Sequence, residues 1–202
     1  EKPELTARSV WVVVQLLPLL EKRVEVKKII VQGLSLQMIR DAKGRFSVGD
    51  VKKWITKPAE SKLFKVLKTS LMNRLMVEDG AIHFKDYFNR SPENPLPLDL
   101  EHISFSVRKN LLDSPFQFAL NGEIPNGGSP TAFKVSGAFD NFSEKQGFTG
   151  ISINGKVRVN ELNFSSFQPY LKKVLAKTPQ DSWLSLDSSF SGNLGGALKS
   201  QG

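Results

Sequence analysis

Two histidines, His83 and His102, are the side chains best suited to acid–base work near neutral pH. Each has a carboxylate close by in the chain, Asp86 for His83 and Glu101 for His102. Neither belongs to a set of three or four ligands at metal-binding spacing. Asp79 and Asp86, with Glu78 adjacent, flank one short apolar stretch. Paired carboxylates serve glycoside hydrolysis, but charged ends of a strand are a far commoner origin of such a pair. The chain has no Gly-x-Ser-x-Gly elbow, no Walker loop and no dinucleotide fingerprint. It has no cysteine, which excludes disulfides and cysteine-bound zinc. The residues therefore offer no catalytic constellation, no metal site and no cofactor site. A non-enzymatic protein is expected.

Attention passes to the elements that would hold these residues. Over residues 102–159 apolar and polar side chains alternate strictly. Ile103, Phe105 and Val107 alternate with Ser104, Ser106 and Arg108. Phe116, Phe118 and Leu120 are followed by Phe133, Val135 and Phe139, then by Ile151, Ile153, Val157 and Val159. A period of two is the mark of a sheet with one buried face. Turn residues separate the segments, among them Asp113-Ser114-Pro115 and the stretch from Pro125 to Pro130. The expected arrangement is an antiparallel meander.

Gly122, Gly137, Gly155 and Gly192 each follow an Asn or Ser. Asn-Gly commonly makes a two-residue hairpin. Here a hairpin at Asn154-Gly155 would put Val157 opposite Ser152 and scramble the apolar face. A continuous strand keeps Ile151, Ile153, Gly155, Val157 and Val159 together. The glycines are therefore read as lying inside strands, where they permit a bend. The expected sheet is curved, with its apolar face concave.

Elsewhere, residues 8–15 are β-branched and read as a strand buried on both faces. The Leu-Leu-Pro-Leu-Leu run at 16–20 reads as a turn, since Pro18 cannot donate to a ladder. Residues 24–40 resume extended structure, and Asp41-Ala42-Lys43-Gly44 reads as a hairpin turn. Residues 76–88 read as a strand with a turn or bulge at Asp79-Gly80, and residues 89–97 as a loop. Two amphipathic helices are expected. One covers 58–72, with Leu63, Val66, Leu67 and Leu71 in a stripe. The other runs through Phe167, Tyr170, Leu171, Val174 and Leu175. Residues 183–194 read as the last strand. The class is thus α+β and β-dominated: a long curved antiparallel meander with two short helices. The 202 residues show no linker between two cores and read as one β-rich domain, a piece of a longer protein. The net charge of +8 is scattered over polar positions. It lacks the basic-groove and stacking pattern of a nucleic-acid binder.

Several of these stretches resemble a family. Leu-Leu-Pro-Leu-Leu is followed by Gly33-Leu34-Ser35-Leu36 and by Arg40-Asp41-Ala42-Lys43-Gly44-Arg45-Phe46-Ser47. The order is similar to the AsmA-like proteins of Gram-negative bacteria, in which a strand pair is joined by an "rD..G..n" turn. The run from Glu78 to Asp86 resembles that family's "v.dG.i.f.D" strand. Phe167-Gln168-Pro169-Tyr170-Leu171 with Gly192 resembles its "l.pYl…G.l" segment. Family members often carry Asn where Ser47 stands. The resemblance implies a periplasmic protein, anchored to the inner membrane by a segment outside this chain. It also implies likeness to bridge-like lipid transfer proteins and a part in outer-membrane biogenesis. The implied partners are a phospholipid or other acyl lipid, the membrane, and other segments of the full-length protein.

Area points the same way. A sheet of about eight strands, about seven residues deep, presents about 900 Å² per face. Two short helices cover about 400 Å² of it. The remainder must fold over, pair with a copy, or hold something apolar. The candidate lipid groove is Phe105, Val107, Phe118, Leu120, Phe133, Val135, Phe139, Ile151, Ile153 and Val157. The rival expectation is a scaffold whose sheet is sealed by neighbouring segments.

Overall fold

The computed structural model describes residues 4–47, 74–88, 95–109, 114–125, 129–140, 151–163, 183–193 and 198–201. Both helices expected from the sequence, at 58–72 and from Phe167 to Leu175, lie outside the described residues. Among the described residues strand dominates, and all twelve strands join one sheet.

The second half follows the expected meander. Strands β6 (Arg74–Asp86), β7 (Leu96–Arg108), β8 (Phe116–Ile124), β9 (Thr131–Asp140), β10 (Ser152–Asn163), β11 (Trp183–Asn193) and β12 (Leu198–Gln201) pair in chain order, each antiparallel to the next. Strand β12 is a further element beyond the expected last strand. Strand β7 begins at Leu96, inside the stretch read as a loop. Pro97 is tolerated because β8 reaches only to Glu101, so β7 has a partner on one side there.

The first half corrects the all-antiparallel expectation. Strands β3 (Val26–Gln32) and β4 (Ser35–Arg40) both run parallel to β6, Ile29 opposite Leu75 and Arg40 opposite Asp86, with one offset throughout. Hydrogen bonds from Gly33 to Glu78 (2.9 Å) and from Ala81 to Leu34 (2.7 Å) carry the ladder across the break. Strands β1 (Leu5–Thr6) and β2 (Ser9–Val14) lie antiparallel on the outer side, and β5 (Phe46–Ser47) pairs with the end of β4. The sheet is therefore mixed. A parallel pair needs a crossover rather than a tight turn, and residues 48–73 are long enough to make one.

Strand β2 corrects a second expectation. It is an edge strand that pairs only with β3, and Val10, Trp11, Val12 and Val13 are exposed on both faces. The β-branched run makes the strand, but no described layer covers it. Residues 16–20 form a short helix, α1 (Leu16–Leu20), rather than an irregular turn. Pro18 sits in the first helical turn, where its missing N–H has no intrahelical acceptor to lose. The helix ends with Lys22 in the left-handed region, and the amides of Glu21, Lys22 and Arg23 bond back to Pro18 and Leu19.

A line of irregular residues crosses the strands at one level. Bulges interrupt β6 at Asp79 (φ 53°), β7 at His102 (φ 49°) and β10 at Glu161 (φ 53°). The break between β3 and β4 at Gly33 lies on the same line, as does Arg8 between β1 and β2. Each bulge adds one residue and so shifts the alternation. In β6, Leu75 and Val77 share the apolar face with Ile82 and Phe84, so odd positions give way to even ones. In β7, Leu98 and Leu100 give way to Ile103 and Phe105. The apolar face is thus preserved across the seam. Thr131, buried beside it, donates to the carbonyl of Glu161 at 3.0 Å.

Candidate functional site

The strand register places the apolar side chains in rows. One row runs Val12, Ile29, Leu75, Val107, Phe118, Gly137, Gly155, Phe190, each opposite the next. The adjacent row on the same face runs Val10, Val31, Val77, Phe105, Leu120, Val135, Val157. Phe133, Phe139 and Ile153 lie on this face as well. Ile151, one residue before β10, continues the alternation. All ten sequence-picked residues therefore share one face. Val107, Phe133 and Ile151 are buried, and the other seven are half-buried. Phe116 and Phe139 stack across strands with centroids 5.0 Å apart, and Val107 packs among Leu75, Phe105, Phe116, Phe118 and Phe139. The sequence reading missed the contribution of β2, β3 and the start of β6 to these rows. Its signal was present as alternation whose phase changes at each bulge.

Gly122, Gly137, Gly155 and Gly192 all lie inside strands, as the alternation requires. Only Gly137 and Gly155 face each other directly. A Cβ on Gly137 would stand 2.0 Å from the carbonyl oxygen of Asn154, and one on Gly155 would stand 2.5 Å from that of Ser136. The two backbones thus close on each other on the side that a side chain would occupy. Two other glycines are covered by aromatic rings: Phe133 lies over Gly122 and Phe88 over Gly44.

A depression of about 760 Å³ lies on the opposite, polar face, where the sequence placed no hollow. Arg74, Arg108 and Lys156 line it with Ser106, Gln117 and Asn154. Arg74 and Arg108 stand directly opposite each other on β6 and β7.

The histidines take other partners than their sequence neighbours. Nδ1 of His83 is 2.9 Å from Oδ1 of Asp99, its cross-strand neighbour. His102 approaches Asp79 at 3.5 Å, and Arg8 donates to the same carboxylate at 2.9 Å. Asp86 faces the other side of β6 from His83. It is buried, accepts the Phe88 amide at 2.8 Å, and lies 3.5 Å from Arg40, whose guanidinium covers the Phe88 ring. Beside it, the Asp41 carboxylate accepts the amides of Lys43 and Arg45, each at 2.9 Å. Gly44 there takes φ 79°, as the expected turn needs. Arg40, Asp41, Gly44 and Asp86 thus form one corner that ties β4 to β6. Asp86→Ala should cost about 2 kcal/mol, since it removes a buried carboxylate that faces the Arg40 guanidinium and accepts the Phe88 amide. A lowered thermal midpoint is the check.

The bonds from Arg8, then from His102, hold the Asp79 carboxyl below its ordinary value of 3.8. A lowered folded-state pKa contributes stability above the ordinary value, and that contribution is lost as pH falls through the folded one. Asp79→Asn keeps a residue that tolerates positive φ and removes the charge. Its deficit in thermal midpoint should be largest near neutral pH and shrink in acid; a deficit independent of pH would count against the ion pairs.

Among the described residues, no group of three or more His, Cys, Asp or Glu side chains converges on a point. Nor is any helix there long and apolar enough to cross a membrane. Comparison of the chain with protein-family models, with curated proteins and with solved structures finds no match.

Proposed function

We propose that this chain is a non-enzymatic lipid-binding segment that holds acyl chains along the apolar face of its sheet. The observation that carries the reading is the continuity of that face. Its rows start at Val10 and Val12, both exposed on the β2 edge, and run without a polar side chain to Val157 on β10 and Phe190 on β11. A core closed on itself would end its apolar rows in polar positions at both edges, whereas these meet serines, Ser188 and Ser200, only on the β11–β12 side. An acyl chain laid along the rows gains about 0.8 kcal/mol for each CH₂ removed from water. Head groups would remain in solvent, and no bond is made or broken. The resemblance to AsmA-like proteins supports the same reading. With it come a periplasmic location, an inner-membrane anchor outside this chain, and a contribution to outer-membrane biogenesis.

A second reading is favoured by one observation. Val107, Phe133 and Ile151 are as buried as core residues, which suits a scaffold sealed by other segments of a longer protein. Native mass spectrometry of the purified chain separates the two. Stoichiometric phospholipid carried through purification is the expected result. Bare protein that also fails to take up a fluorescent fatty acid would sink the lipid reading.

A further inference from the structure

We infer that the β2–α1–β3 hairpin is a membrane-contact element that seats its leucines in the interface of an anionic bilayer. This deepens the lipid reading above by naming where the chain would meet a membrane. Its test stands apart from the binding of lipid on the sheet.

The helix at the hairpin tip is made only of apolar residues. Leu16, Leu17 and Leu20 of α1 are 75%, 78% and 82% exposed, and Leu19 and Val24 are exposed beside them. At about 100° per residue, Leu19, Leu16, Leu20 and Leu17 fill one side of the helix over about 160°, with Pro18 opposite them. The polar groups of the tip suit shallow insertion. The amides that follow α1 are bonded back to it, so few backbone groups would need water.

Charge identifies the surface. Lys22, Lys27 and Lys28 ring the tip and have no carboxylate partner among the described residues. Arg23 is held by Glu21 and Glu25. Lysines around an apolar tip match an anionic lipid surface, with their stems along the acyl boundary and ammonium groups among the phosphates. Trp11, on β2 beneath the tip and 58% exposed, has the amphipathic ring that settles at the head-group level. Val10 and Val12 lie on the same strand and begin the apolar rows of the sheet. A lipid leaving the bilayer at the tip would thus meet an unbroken apolar path.

The test is flotation with vesicles of phosphatidylcholine, with and without phosphatidylglycerol. Binding to the anionic vesicles, weakened by salt, is expected. The double variant Leu17→Asp, Leu20→Asp changes two exposed positions. It should keep the parental melting temperature and any lipid retained on the sheet, while vesicle binding falls at least tenfold. With Trp54 and Trp183 changed to Phe, Trp11 should shift to the blue on binding and be quenched by brominated lipid. Parent protein that binds neither vesicle, a double variant that binds like the parent, or an unmoved Trp11 would each overturn the inference. So would a dimer in sedimentation that the double variant dissociates, since the tip would then be occupied by a second copy. Val135→Asp, aimed at the sheet face, should leave vesicle binding intact. Loss of retained lipid alone would therefore fall on the sheet and not on the tip.

Discussion

Gly137→Ala should lower the stability of the fold by about 3 kcal/mol or more, because the added methyl has nowhere to go. It would meet a backbone carbonyl at 2.0 Å and a backbone Cα at 2.6 Å, and neither can swing aside as a side chain does. Strands β9 and β10 must separate or shift to admit it. For a chain of this size the thermal midpoint should fall by roughly 6–12 °C. Gly122→Ala is the matched control. There the new methyl would meet the tip of the Phe133 ring at 2.7 Å, and a ring can turn. Its loss should be clearly smaller. Equal losses at the two positions would show that the close approach of β9 to β10 is not what demands glycine.

Val107→Asp should remove most of the stability of the fold and leave the protein largely unfolded at about 37 °C. The side chain is 1% exposed, and an unpaired carboxylate there costs about 4 kcal/mol or more. A domain holds about 5–15 kcal/mol in total. Val135→Asp tests a different property. Val135 is half-buried, one row away on the same face. If the face is an open groove, the charge reaches water. The variant then folds, with a circular dichroism spectrum like the parent's, and loses its phospholipid. A folded variant that retains lipid would remove this position from the site. Unfolding at Val135, Val157 and Leu120 alike would identify a sealed core and favour the scaffold.

The alternation from Ile103 to Val159 was enough to place ten residues on one face, because side chains on a strand have a fixed period. The same logic correctly kept Gly155 inside its strand. Three features were harder to read. The bulges at Asp79, His102 and Glu161 show in the sequence only as a change of phase, and a search for unbroken alternation passes over them. The parallel pairing of β3 and β4 with β6 leaves no local trace. Hairpins are announced by their turns, whereas a parallel neighbour is chosen by packing at long range. Strand β2 was misjudged for a related reason. Val10 to Val14 state that the strand is apolar, but not whether anything lies across it. The partners of His83 and His102 follow from register, so neither Asp99 nor Asp79 could be read from nearness in the chain.

The parallel junction also bears on how the chain acquires its structure. From β6 to β12 each strand pairs with the one before it, so these contacts close stepwise between neighbours in the chain. The ladder from β3 and β4 to β6 joins segments separated by a long crossover, so its loop entropy is spent before any of its contacts form. The meander is therefore the natural nucleus, and the N-terminal hairpin with its leucine tip is added last. Until that happens one edge of β6 is open, with Leu75 and Val77 paired to β7 alone. Destabilising the corner at Arg40 and Asp86 would prolong that interval. Misassembly should then begin along that edge, where a strand from another molecule could take the place of β3 and β4.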